Sequence, residues 1–315
     1  MYIKSTTCYS YVRDKGNIIL PSVRQLQRVA SGLNVTPGLS TLANENYLRG
    51  RCKELKDHEK QVVLQIDEIF IKSAITYKCN TFIGLTKKGE AATTIQCFLY
   101  SSLLSKNKEI VSLNPVKNMN AEDLHSMTLE ILSLTEKVGF SVVCIVSDNN
   151  RVNRNCFSKL CNGTIKSDIQ NPANNAKKLR LIFNSVYLIK SIRNNWLNQK
   201  DADSSLMYPD PSGFSQIRKT SFSSLFKIYN EEMNIVKLAP KLCLKALKPT
   251  NFEKQNVKLV LKIFEESNVT ALNILIDKLG YKEMFRDNAI FIKHILDFWQ
   301  IMNIKNPTKR VKILN

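Results

Sequence analysis

The sequence predicts an α/β protein, a mixed sheet with flanking helices, followed by an all-helical region. Three observations carry this. The segment Val62–Lys72, VVLQIDEIFIK, is an apolar run of strand type that ends in an acid, Asp67. A second such run, Val142–Arg154, VVCIVSDNNRVNR, ends in Asp148. Between them Ala121–Val138 carries Leu124, Met127, Leu129, Ile131, Leu132 and Leu134 at helical spacing, a pattern that can carry the chain from one strand to a parallel neighbour.

The elements follow in order. Leu20–Leu33 reads as a short amphipathic helix with Ser22 as its N-cap and Gly32, then Pro37-Gly38, ending it. Its exposed face carries Arg24 and Arg28. These are candidate DNA contacts if the helix belongs to a helix-turn-helix, and otherwise it is a packing helix at a domain edge. From Gln61 the pattern turns to strands: Val62–Asp67, then Ser73–Tyr77, Thr81–Leu85 and Ala92–Tyr100, rich in β-branched and aromatic residues. The helix 121–138 has Asn120 as a cap, Glu122 and Asp123 in its first turn, and Gly139 to close it. The next strand is Ser141–Ser147. Residues 156–175 are polar and read as loop, 180–198 as an apolar helix carrying Lys190 and Arg193, and 201–215 as a turn-rich linker. The rest reads as helix over 221–234, 251–265, 269–279 and 287–301. Three parts result: an N-terminal helical segment 1–50, an α/β core 61–198 and a helical domain 199–315.

Composition narrows the partners. The chain has 315 residues, 43% hydrophobic and 23% charged, an ordinary globular balance. No apolar run reaches the ~20 residues of a membrane span, and the first sixteen residues lack the apolar core of a signal peptide. An intracellular protein without a membrane partner is expected. The eight cysteines include no C-x-x-C pair and the three histidines are scattered, so the cysteines read as reduced packing thiols. The formal charge of +19 favours a polyanion, above all nucleic acid. The alternative is a basic surface with no specific role.

An acid at the end of a buried strand is costly unless something positive meets it. Two such acids on neighbouring strands are a common way to hold Mg²⁺ or Mn²⁺ for phosphoryl transfer, and each could instead cap or salt-bridge at its strand end. Glu68 follows Asp67 directly, so it should point to the opposite face and find a structural partner. Asn149, Asn150 and Asn153 could position a phosphate or satisfy turn backbone, and the turn reading is favoured. Lys190 and Arg193 share a helix face and, with Lys177, Lys178 and Arg180, could track a DNA backbone. Trp196 and Trp299 read as core.

The strand, strand, strand, helix, strand order matches a ribonuclease H-like core. Six segments in order then resemble the P-element-type DNA transposases and their THAP-domain relatives: LQIDEIFIK, SSLLSKNKEIVSLNPVKN, VSDNNRVNR, VYLIKSIRNNWL, LAPKLCLKALKPTNFEKQNVKLVLKIF and FWQIMNIKN. The resemblance implies that Asp67 and Asp148 are two of three catalytic, metal-binding acids of a nuclease and strand-transfer enzyme. It also implies a helical insertion from about Gln199 that binds GTP, DNA ends and target as partners, a homo-oligomer and a nuclear location. No G-x-x-x-x-G-K-[ST] loop occurs, so GTP-contact residues stay unassigned. Three features depart from the family pattern. The third acid has no match within the chain, Asn184 and Tyr187 stand where the family has Asp and His, and the zinc-binding THAP segment is missing from the N-terminus. The expectation is therefore a transposase fragment with an incomplete site, or else a relic that binds nucleic acid without chemistry.

Overall fold

The computed structural model describes residues 5–16, 19–31, 42–78, 81–199, 205–210, 213, 215–231, 237–281 and 284–303. Two compact units divide between Ile182 and Phe183.

The first unit opens with three helices, α1 (Thr6–Lys15), α2 (Val23–Ser31) and α3 (Leu42–Glu54). Ser22 Oγ accepts the Gln25 N–H at 3.1 Å, as expected of the α2 cap. The end proposed at Gly32 and Pro37-Gly38 lies outside the described residues. The sheet strands are β1 (Gln61–Phe70), β4 (Thr94–Ser102), β5 (Lys108–Val116), β6 (Ser141–Ser147), β7 (Asp168–Asn171) and β8 (Asn174–Phe183), in the spatial order β5-β4-β1-β6-β8-β7. The strands β2 (Thr76–Lys78) and β3 (Thr81–Ile83) form a separate hairpin between β1 and β4. Helices α4 (Ala121–Val138) and α5 (Arg151–Leu160) complete the unit.

β1 runs antiparallel to β4 and parallel to β6, and α4 supplies the crossover. Asn120 caps α4 through the Asp123 N–H, and Gly139, at φ 107°, closes it in the left-handed region where a Cβ would be strained. β4 alternates buried and half-buried along its whole length. One face therefore lies on the core formed by Leu64, Ile66, Phe98, Tyr100, Leu124, Ile131, Leu132, Ile145 and Phe157, all at most 3% exposed. Tyr100 and Phe140 meet at 5.4 Å between ring centroids.

Several expectations need correction here. The three sheet strands ahead of α4 are β1, β4 and β5, and the 73–85 segment leaves the sheet as the hairpin. Residues 156–175 are not all loop: α5 runs to Leu160 and β7 spans 168–171. β8 occupies the start of the segment read as helix from 180, so the helix α6 begins at Ser185 and ends at Leu197.

The second unit holds α6, a hairpin of β9 (Ser205–Pro209) and β10 (Ile217–Ser221), and the helices α7 (Ser223–Glu231), α8 (Leu244–Leu247), α9 (Val257–Leu261), α10 (Glu266–Leu279) and α11 (Met284–Met302). The hairpin falls where a linker was expected, so this unit is not purely helical. α6 belongs to it, which moves the division from residue 198 to 182. Ile189 and Trp196 on α6 are fully buried among Phe222, Phe264, Leu272 and Ile292. Trp196 lies 4.9 Å from the Phe291 ring and 5.2 Å from that of Phe222. Trp299 packs half-buried against the same cluster.

Candidate active site

The parallel register pairs Ile66 with Ser147. Asp67 and Asp148 are the next residues on the two strands, so the fold brings both acids to one end of adjacent strands. Asp67 is exposed and Asp148 half-buried.

Each acid is held by its own chain. Asp67 Oδ1 accepts the Glu68 N–H at 2.9 Å. The Gln96 Nε2 donates to the Asp67 carbonyl at 3.0 Å, which ties β4 to the strand at this residue. Asp148 Oδ1 accepts the Asn150 N–H at 3.2 Å and a short bond from Asn153 Nδ2. Asn150 also caps α5, accepting the Asn153 N–H at 2.8 Å. The turn reading holds for Asn150. The buried Asn153 does more, because its amide fixes the Asp148 carboxylate.

The electrostatics around the pair are negative. The Glu68 carboxyl is pushed up by burial first, then by the charges of Asp148 and Asp67. The Cys97 thiol, directly opposite Asp67 in the register, is pushed up by burial and then by Asp67. Among the described residues no cation pairs with Asp67, Glu68 or Asp148, so the structural partner expected for Glu68 is not there. A concentration of carboxylates without a basic partner fits a divalent cation by charge and by hard oxygen donors. No group of three or more His, Cys, Asp or Glu side chains with metal-binding placement occurs among the described residues. The two aspartates are thus the candidate ligands for Mg²⁺ or Mn²⁺.

A buried polar row runs away from the pair. Glu68 opposes Gln96 on β4, and Gln96 opposes Asn114 on β5. Gln96 is 1% exposed and its Oε1 has no partner, and Asn114 Oδ1 is likewise orphaned. Sequence reasoning missed Gln96, since only the register shows which strand residue reaches the Asp67 backbone. A cleft of ≈ 700 Å³ lies along β5 and the first turns of α4, lined by Asn114, Lys117 and Asn120 among others, and does not include the acid pair.

The proposed basic stripe does not survive. Lys177, Lys178 and Arg180 lie on β8, where Lys177 pairs with Glu136 at 3.0 Å and Lys178 with Asp168 at 3.3 Å. Arg193 is fully buried, donates to the Lys254 carbonyl at 2.9 Å and leaves Nε and Nη1 unpartnered, so it presents no charge to a DNA backbone. Its spacing from Lys190 suggests a shared face open to a DNA backbone, but Arg193 packs into the second unit. Lys190 is half-buried, donates to Gln255 Oε1 at 3.2 Å and lies 4.3 Å from the Tyr187 ring centroid. Arg24 and Arg28 are exposed on α2. Asn184 caps α6 by accepting the Val186 N–H at 2.9 Å, a role an aspartate would also fill.

Comparison with known proteins agrees with this architecture. Residues 35–161 match the TNP-like, RNase H N-terminal domain family. The Transposable element P transposase of Drosophila melanogaster is 26% identical over 308 residues, which is 95% of this chain and 37% of that protein. The chain therefore spans little more than a third of its curated relative. A chain of the Drosophila P element transposase strand transfer complex is similar in fold with a TM-score of 0.74 and 20% identity, over 100% of this chain and 69% of that one. By sequence and by fold, this chain is similar to P element transposase over almost its whole length, and its first unit has a ribonuclease H-like fold.

Proposed function

We propose that this chain is the ribonuclease H-like core and adjoining helical unit of a DNA transposase, with Asp67 and Asp148 as divalent-metal ligands for phosphoryl transfer. The carrying observation is that the parallel β1–β6 register sets the two acids at one sheet end, with no cation paired to them among the described residues. A bound Mg²⁺ or Mn²⁺ would supply activation of an attacking hydroxyl and stabilisation of the leaving oxygen. The chain's own contribution is positional. Gln96 anchors the Asp67 backbone, and Asn150 and Asn153 hold the Asp148 carboxylate. The charge of +19 supplies the attraction to DNA.

Measured DNA affinity tests this reading. The wild-type chain should bind duplex DNA with a steep salt dependence, and millimolar Mn²⁺ should strengthen binding beyond the effect of equal ionic strength. Asp67→Asn should abolish the Mn²⁺ increment and keep the salt dependence. No DNA binding at low salt would end the proposal. A second reading is a nucleic-acid-binding protein without chemistry, favoured by the absence of a three-ligand cluster among the described residues. Equal DNA affinity with and without Mn²⁺ would select it. GTP binding by the second unit is part of the same proposal. Occupancy at about 100 times the dissociation constant should stabilise that unit by about 2.7 kcal/mol.

A further inference from the structure

The excursion between β1 and β4 holds two exposed aromatic rings, Tyr77 and Phe82. It leaves the sheet three residues beyond Asp67: β1 ends at Phe70, and Ile71 donates its N–H to the Thr93 carbonyl at 3.0 Å. The described residues between 72 and 92 therefore leave the sheet at the end that carries the acid pair. In the β2–β3 hairpin Tyr77 and Phe82 oppose each other, with ring centroids 5.0 Å apart. They are 64% and 61% exposed, and Phe70, the last residue of β1, is 82% exposed. Rings left in water contribute little burial to the fold, and paired exposed rings offer an apolar surface to a ligand. The hairpin base is built to hold this geometry. Gly84 sits at φ +95°, and a Cβ there would lie 2.1 Å from the Ala74 carbonyl oxygen.

Charge selects the occupant. Residues 72–92 contain Lys72, Lys78, Lys87 and Lys88 against one acid, Glu90. Lys117 pairs with Glu90 at 3.1 Å, and Lys72, Lys87 and Lys88 are exposed. Aromatic faces set among lysines suit a nucleic acid strand whose bases stack on the rings while its phosphates meet the cations. A paired duplex exposes base faces only at its two ends, so the ligand class is an unpaired or frayed strand.

We propose that Tyr77 and Phe82 stack on an unpaired base of the DNA strand engaged at Asp67 and Asp148. The inference rests on the DNA reading given above and adds to it the strand state and the residues that recognise it.

The experiment uses the whole chain and an oligonucleotide with a 2-aminopurine in a short unpaired end, beside a blunt duplex of equal length. Binding is read by anisotropy and stacking by 2-aminopurine quenching. The wild type should prefer the unpaired end and quench its fluorescence. Phe82→Ala and Tyr77→Ala should each weaken that binding by roughly 5- to 100-fold and relieve the quenching. They should leave blunt-duplex binding unchanged. Phe82→Trp should retain both signals, and Phe252→Ala, at an exposed aromatic of the second unit, should behave as wild type. Wild-type affinity in the alanine variants, with DNA binding intact, overturns the inference and leaves the DNA reading standing. Loss of all DNA binding in the wild type overturns both. A change from dimer to monomer in light scattering, without any change in DNA binding, would assign the hairpin to a second copy of the chain and overturn the inference.

Discussion

Replacing Gln96 by Met separates the stability of the sheet from the readiness of the site. Gln96 is 1% exposed, gives one hydrogen bond to the Asp67 carbonyl at 3.0 Å, and leaves Oε1 without a partner. Met is unbranched and of similar length, so the side chain can keep its place in the packing. The substitution loses one neutral hydrogen bond, worth about 1 kcal/mol. It also removes a buried orphan oxygen whose desolvation costs about 1–3 kcal/mol. The balance runs from neutral to about 2 kcal/mol of stabilisation. For a domain of this size that is a melting temperature unchanged or raised by up to ~8 °C. The site should respond in the other direction. With the Asp67 backbone no longer anchored from β4, Mn²⁺ affinity should fall by about 10- to 100-fold, the usual consequence of losing an outer-shell partner. Differential scanning calorimetry without metal and a Mn²⁺ titration give the two numbers. A melting temperature lowered by more than ~4 °C would refute the reasoning, since Oε1 would then be satisfied in solution.

Three further outcomes follow from the packing and the titratable groups. Glu109 on β5 accepts the Tyr47 hydroxyl at 2.6 Å and the Arg51 Nε at 2.7 Å, joining α3 to the sheet. Because Arg51 is 35% exposed, Glu109→Ala should cost about 2–3 kcal/mol and not the full value of a buried pair, read from the urea midpoint. Trp196→Ala should cost about 3–5 kcal/mol in the second unit, because the indole is fully buried among Phe222, Phe264 and Phe291. Burial raises the Cys144 and Cys156 thiols from 9.0 to about 11. The unfolded chain releases these protons first, so the folded state binds more protons between those values and stability should fall as pH rises from about 9 to about 11. Denaturant midpoints across that range check the sign. At pH 8 a thiol reagent should modify the exposed Cys8 and spare both buried thiols.

The acid pair was legible because its chemistry is written locally. An apolar β-branched run that ends in Asp needs no tertiary knowledge to be noticed, and a helix of crossover length between two such runs implies parallel neighbours. Asn120, Gly139 and Ser22 were readable for the same reason, since caps act within one turn. What failed depended on distant partners. Lys108–Val116 carries a proline and an asparagine and lacks clean alternation, so only its pairing with β4 makes it a strand. Arg193 reads as a possible DNA contact because Lys190 shares its helical spacing, but periodicity does not say that the 253–255 turn covers that side. Gln96 and Asn153 became visible only with the register and the α5 cap. The hairpin strands were found as strands, and their exposure to solvent could not be read from a pattern in which Tyr, Phe and Ile usually mean core.

The central claim is that Asp67 and Asp148 hold a divalent cation together. Isothermal titration of the whole chain with Mn²⁺ tests it most directly, on the wild type, Asp67→Asn, Asp148→Asn and the double variant. The account predicts a saturable site in the wild type that weakens at least tenfold in each single variant and vanishes in the double. The four proteins should unfold at similar temperatures without metal. The same weak, unsaturated heat in all four would show that the two carboxylates are strand-end acids and not a metal site.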